Sequence, residues 1–359
     1  MTVAAVALII VAFWAGPALA RPTLPFGVRV PAARVAEPAI ARVRRDYTRG
    51  VAALGVVSLA GAVVFDEWVL VVVIAAFCLL GYHAHRSVAA AKRAGDWYAG
   101  IRQAVTTDTS LRTDPVRPQW ILLAPAVVLF ALTAVVGALR YGDLPSSLPT
   151  PNGVTVDATH RTATSVGFAF ATVTAQLLII VLVAVLGTAI PRSRPELDAA
   201  TPAGSAARYR TYLTGVMRLL FVSAGCAAAS LLVASFQVWE ILPATLAVTL
   251  LSFVPLAAAL VLWAVFAFRT GDAGHRLPTG PEESTKQTTL EQRDDDRHWF
   301  AAGTVYVNRT DPAVLVHRRA GMYWTLNVGN PISWAIIAGI AAVAVLAGTG
   351  VIDLPVRGG

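Results

Sequence analysis

Eight runs of mostly apolar residues, at 2–20, 50–65, 68–84, 120–139, 166–190, 213–236, 239–268 and 331–352, restrict this chain to one class of fold. A helix needs roughly 20 such residues to cross the ~30 Å hydrocarbon layer, where an unsatisfied backbone group costs too much to tolerate. The 359 residues are 56% hydrophobic and 14% charged, which places them in the integral-membrane class. The expected fold is an all-α transmembrane helical bundle of about eight spans, with a small β-like cytosolic appendage before the last.

The first run ends in Ala18-Leu19-Ala20, which imitates a signal-peptide cleavage site. Its N-terminal side has no positive charge and seven arginines follow within 21–49, so an uncleaved anchor is expected. The loops 21–49, 85–119, 191–212 and 269–330 hold 7, 6, 4 and 8 of the 29 Lys and Arg residues. Basic loops stay cytoplasmic, which makes both termini extracytoplasmic in a cell-membrane protein. The net charge of +8 then matches an anionic inner leaflet, and nucleic acid is not an expected partner.

Loop lengths divide the chain further. Residues 1–140 form a first four-span half with cytosolic loops 21–49 and 85–119, and 141–165 an extracytoplasmic Pro-rich loop. Spans five to seven occupy 166–268. A polar cytosolic linker (269–297), a small cytosolic module (298–330), and the last span with its tail (331–359) complete the order. An Arg-x-Tyr-x-x-Gly-Val pattern precedes the second span at Arg45–Val51 and the sixth at Arg210–Val216, as parallel repeats would show. The short turns "FDEW" (65–68) and "QVWE" (237–240) each offer an acid and a tryptophan to the outer interface.

Within the module, Val305 and Val307 alternate with polar neighbours, "NRTDP" offers turn residues, and Val314 and Val316 alternate again, a hairpin signature. Asp311 before Pro312 reads as a turn residue. Some 30 residues with two or three strands need something to dock on. Trp299, Phe300, Tyr323 and Trp324 supply aromatic bulk for that, and Arg318 and Arg319 could reach lipid phosphate. Trp299, Tyr306, Asn308, Asp311, Arg319, Trp324 and Asn327 are the candidate docking or partner-binding residues.

The spans carry no Asp, Glu or Lys near their centres, so Gln176 is the candidate intramembrane polar residue, bonding across helices or lining a polar path. No HExxH, GxSxG, Walker A or GxGxxG pattern occurs, the six histidines have no ligand spacing, and Cys78 and Cys226 lie within spans. No catalytic, cofactor-binding or metal-binding residue is assigned, and the chain is not read as an enzyme.

Two resemblances add to this. Trp299, Gly303, Tyr306, Asn308, Asp311, Pro312, Val316, Arg319, Gly321, Trp324, Thr325 and Asn327 form a pattern that resembles domain of unknown function 5808, which is found attached to multi-pass bacterial membrane proteins. Leu144, Pro145, Leu148, Pro149, Gly153 and Asp157 are similar to the loop of domain of unknown function 1648, with Pro151 where that loop has a histidine. "LPFGVRVP" at Leu24–Pro31 is like the segment after the first span in those proteins. The second resemblance extends to SdpI-type proteins, and implies toxin immunity joined to retention of a transcriptional repressor. The expected function is therefore an immunity- or sensor-type protein with the lipid bilayer and a cytosolic transcriptional regulator as partners. The alternatives are a permease of two four-span halves, resting on the repeated loop order and Gln176, and a membrane scaffold without transport or catalysis.

Overall fold

The computed structural model of the chain describes residues 2–65, 68–106, 110–278 and 289–348. Its longer helices are α1 (Thr2–Leu19), α2 (Pro38–Val64), α3 (Trp68–Ala94), α4 (Ala124–Arg140), α5 (Ala171–Ala189), α6 (Pro202–Val238), α7 (Leu246–Thr270) and α8 (Pro331–Gly348). Among the described residues, α1 to α7 give seven helices long and apolar enough to cross a membrane, and α8 has a shorter apolar stretch at Pro331–Ala342. Apolar side chains cover their outsides, Val63 and Val64 at 75% exposure and Leu139 at 77%. Surface of that kind is stable in lipid and not in water, so the chain is a multi-pass membrane protein. Asp66 and Glu67 of the first short turn, 349–352 of the last expected span and the tail lie outside the described residues.

The chain divides into two compact units that interleave in sequence. The first comprises 1–114, 192–212 and 267–335. Its helical part is α1 to α3, where Phe13 stacks on Phe77 at 5.1 Å and Tyr47 donates to the Phe13 carbonyl at 3.0 Å. Phe77 and Val51 are at most 1% exposed, and in lipid it is such close packing, not removal from water, that holds the helices together. Helix α3 continues ten residues beyond the apolar run that ends at 84, into Arg86, Lys92 and Arg93.

The rest of the first unit is loop and short strand. β1 (Gln103–Ala104) pairs in parallel with β4 (Glu291–Gln292). β5 (Trp299–Phe300) pairs with β6 (Val305–Tyr306), and β7 (Leu315–His317) with β8 (Trp324–Leu326), both antiparallel. This differs from the expected hairpin, in which 305–307 would face 314–316 across "NRTDP". Those turn residues do bend the chain, Asn308 and Asp311 each accepting the amide two residues on. Asn327 redirects the pairing: its amide nitrogen donates to the carbonyls of Asn308, Asp311 and Ala313 at 2.9–3.1 Å, so β8 rather than β6 lies beside β7. Asn330 then accepts from the Ile332 amide at 3.0 Å and caps α8.

The second unit comprises 115–191, 213–266 and 336–359. Its Pro-rich segment is a twisted hairpin, β2 (Ser147–Asn152) against β3 (Thr155–Ala163), rather than the plain loop its composition suggested. Asn152-Gly153, with Gly153 at φ +62°, supplies the tight turn. Register slips between Pro149 and Thr150, where proline has no amide to donate. Leu148, fully buried, packs with Leu144, Val173 and Trp239. The two short-turn tryptophans therefore part company: Trp68 is 81% exposed, whereas Trp239 is 4% exposed and donates to the Ala169 carbonyl at 2.9 Å. Gly137 makes this packing feasible, since a Cβ there would stand 2.7 Å from the Trp239 ring.

Candidate functional site

The first unit gathers charge from all four basic loops into one buried network. Arg29, in "LPFGVRVP", is 3% exposed. Its guanidinium pairs with Glu196 and, at 3.1 Å, with Asp295, while its backbone amide donates to Asp296 at 3.1 Å. Arg319, 1% exposed, pairs with both Asp295 and Asp296 and stacks 5.2 Å from the Trp299 ring centroid. Lys92, at the end of α3, bridges Asp294 at 2.7 Å and Asp296 at 2.6 Å.

Two glycines let these segments meet. Gly27 and Gly303 both adopt left-handed φ, +78° and +80°. A Cβ on Gly27 would stand 2.5 Å from the Ala302 carbonyl oxygen, and one on Gly303 would stand 3.1 Å from the Gly27 Cα. The backbones of the first and last basic loops thus touch where only glycine fits.

A second arm runs beside the first. Asp272, 2% exposed, takes Arg21 at 3.0 Å and the His317 Nε2 at 2.6 Å. His317 is itself enclosed by Tyr212 and Trp324 rings. A third arm joins Arg194 to Asp311, with the Tyr306 hydroxyl accepting from Arg194 at 2.9 Å and donating to Asp311 at 3.0 Å.

Electrostatics follow from this pairing. Burial pushes the Glu196 carboxyl up, but Arg29, then Arg21, Arg319 and Arg194, outweigh it and bring the group down to about 2. Asp295 and Asp296 are likewise lowered, burial again being outweighed first by Arg319. The carboxylates stay ionised because cations replace the water they lost.

All seven candidate docking residues are drawn into this body by direct contacts. Trp299 packs on Tyr306 at 4.9 Å between centroids, Asn308 donates to the Tyr306 hydroxyl at 3.0 Å, Asp311 and Arg319 hold their ion pairs, and Asn327 knits the turn. The seventh, Trp324, lies against His317 at 5.1 Å. The expectation that Arg319 reaches lipid phosphate fails, because its side chain is buried between two aspartates. The polar segment 269–297, expected as a linker, supplies Asp272 and Asp294–Asp296 to the network at its two described ends. Arg29, Lys92, Glu196, Asp272 and His317 had not been singled out. The local signal was the acid run of "RDDDR" in loops otherwise rich in base, which demands cationic partners.

Gln176 belongs to the second unit and is fully buried. Its amide donates to the Thr133 hydroxyl at 3.2 Å and the Ala228 carbonyl at 2.8 Å, tying α5 to α4 and α6. Thr172 and Ser235 add a bond of 2.7 Å between α5 and α6. The Gln176 Oε1 has no hydrogen-bond partner among the described residues.

Compared with known proteins, the chain matches no protein-family model, no curated protein and no solved structure.

Proposed function

We propose that the chain is a membrane sensor of the immunity type, in which the outer hairpin β2–β3 meets an envelope signal and the ion-paired body holds a cytosolic regulator. The observation that carries this reading is that all four basic loops close into one body through Arg29, Lys92, Glu196 and Asp294–Asp296. Four loops that share one body fit one side of the membrane, and their Lys and Arg content supports the cytosol as that side. On this reading the Pro-rich hairpin faces out, which agrees with the Arg161–Glu240 pair at 2.7 Å joining two expected outer loops. A preassembled surface binds a partner without an ordering cost. Its buried carboxylates each sit beside a cation, which suits scaffolding better than proton transfer. The resemblance at Trp299–Asn327 points the same way.

Deleting the module is a poor test, since Asp295 and Asp296 would lose Arg319 and the body itself would be disturbed. Exposed residues serve better. A photo-crosslinker at Tyr323 (64% exposed) or at Arg309 should trap one and the same cytosolic protein in the native cell, and Arg309→Glu with Tyr323→Ala should abolish the trap. An impermeant thiol reagent should reach a cysteine at Gly153 but not one at Arg309. Empty crosslinks at both positions, or labelling of both cysteines, would overturn the reading.

A permease is favoured by one observation, the Gln176 oxygen, buried between helices and without a hydrogen-bond partner among the described residues. A polar atom left open between helices is suited to a passing solute. Uptake or efflux lost in Gln176→Leu, with the protein still in the membrane, is the outcome expected on this reading, and an unchanged flux profile would exclude it.

A further inference from the structure

One face of α3 changes character along its length. Val72, Leu79 and Tyr82 are exposed at 66%, 68% and 46%, and Arg86 and Arg93 continue the stripe at spacings of seven, three, four and seven. Such positions share one side of a helix. At 1.5 Å per residue, Arg86 stands about 10 Å beyond Leu79 and Arg93 about 10 Å further. Headgroup regions extend some 5–8 Å beyond the hydrocarbon on each side, so the first arginine falls at phosphate level when Tyr82 marks the boundary. The second can bend back toward that level along its aliphatic stem.

A groove of about 470 Å³ opens at this place, walled by Tyr82, Arg86 and Arg93 of α3 and by Trp299 and Phe300 of β5. That volume lies within the ~300–1,000 Å³ of small-molecule sites. Arg86 and Arg93 form no ion pair among the described residues, in contrast to Lys92, Arg29 and Arg319. Arg297 lines an adjoining hollow, and the acids there, Asp294 and Asp296, are already held by Lys92 and Arg319. Phe300, 53% exposed, leaves an apolar wall opposite the arginines.

We propose that this groove is a headgroup site for an anionic phospholipid: Arg86 and Arg93 take its phosphate, and its acyl chains lie along Val72, Leu79 and Tyr82. Charge complementarity selects a phosphodiester, and the apolar stripe running into the groove selects a lipid over a free anion, which would leave that stripe unused. The site shares Trp299 with the ion-paired network but uses none of its ion pairs, and it does not depend on the sensor reading.

The test uses the full chain in phosphatidylcholine nanodiscs doped with phosphatidylglycerol, with retained lipid read by native mass spectrometry. Wild type should retain phosphatidylglycerol over phosphatidylcholine, and Arg86→Gln with Arg93→Gln should weaken that retention about 30-fold, at roughly 1 kcal/mol per basic contact. The control Arg42→Ala with Arg45→Ala, two exposed arginines on α2, should retain lipid as wild type does. Should the double variant fold poorly, Arg86→Gln alone should still lose several-fold, and Phe300→Ala should weaken retention without altering charge. Retention unchanged in the variants, or lost equally in the control, would overturn the site. Displacement by inorganic phosphate would mark it as a free-anion site, and displacement by an acidic peptide as a protein-docking site; either would overturn the lipid assignment.

Discussion

Replacing Arg319 with methionine should open the ion-paired body while leaving the spans inserted. Its side chain is 0% exposed and holds both Asp295 and Asp296. Removing one partner from a buried pair leaves uncompensated charge, at a cost of about 3–5 kcal/mol. Asp295 would keep Arg29 and Asp296 would keep Lys92, but each would lose the cation that most lowers its carboxyl. Arg319→Lys should rescue little, because a single ammonium cannot span two carboxylates and also stack on Trp299. The control is Arg34→Ala, whose pair with Glu37 at 3.4 Å is solvent-exposed and worth under about 1 kcal/mol. Limited proteolysis reads the result: cleavage within 289–330 should accelerate sharply in Arg319→Met and not in Arg34→Ala. Equal resistance in both would show that the network does not hold the body together.

Acid should dissolve the same body. A carboxyl whose folded value lies below its free value contributes stability that is complete at neutral pH and disappears as pH falls. Glu196 goes from 4.5 when free to about 2 in the fold, a difference equivalent to about 3 kcal/mol. Asp295 and Asp296, also lowered, add loss in the same direction. Protease resistance should therefore be flat from pH 7 to about 5 and fall progressively below about 4.5. Glu196→Gln should be less stable at neutral pH and show a shallower acid dependence, since one of the titrating groups is gone. Resistance that held constant, or rose, between pH 5 and pH 3 would contradict the pairing of these acids with Arg29 and Arg319.

The module's share of the site was visible along the chain, but its partners Arg29, Lys92, Glu196 and Asp272 were not, and neither was the connectivity. The pattern from Trp299 to Asn327 names residues that do meet, because turn chemistry at Asn308, Asp311 and Pro312 acts over a few residues. The pairing of β7 with β8 was not visible, because it depends on Asn327 reaching back across the turn to Asp311 and Ala313. The hairpin at 147–163 was readable from Asn152-Gly153, although its prolines masked the alternation. Trp239 could not be told from Trp68 in sequence, since both follow the same kind of short turn. Burial of one depends on Gly137, a hundred residues away, leaving space for its ring.

Hydropathy by itself determined that this is a multi-pass helical membrane protein, because every segment that crosses lipid must satisfy its own backbone and present its own apolar surface. The Lys and Arg distribution by itself grouped the four basic loops that the structure finds in one body. Which acid meets which base was decided only by tertiary structure. Arg29 and Glu196 lie 167 residues apart, and no local periodicity links them. An ion pair exists where folding removes water from both partners at once, and that condition belongs to the packed body and to no stretch of chain within it.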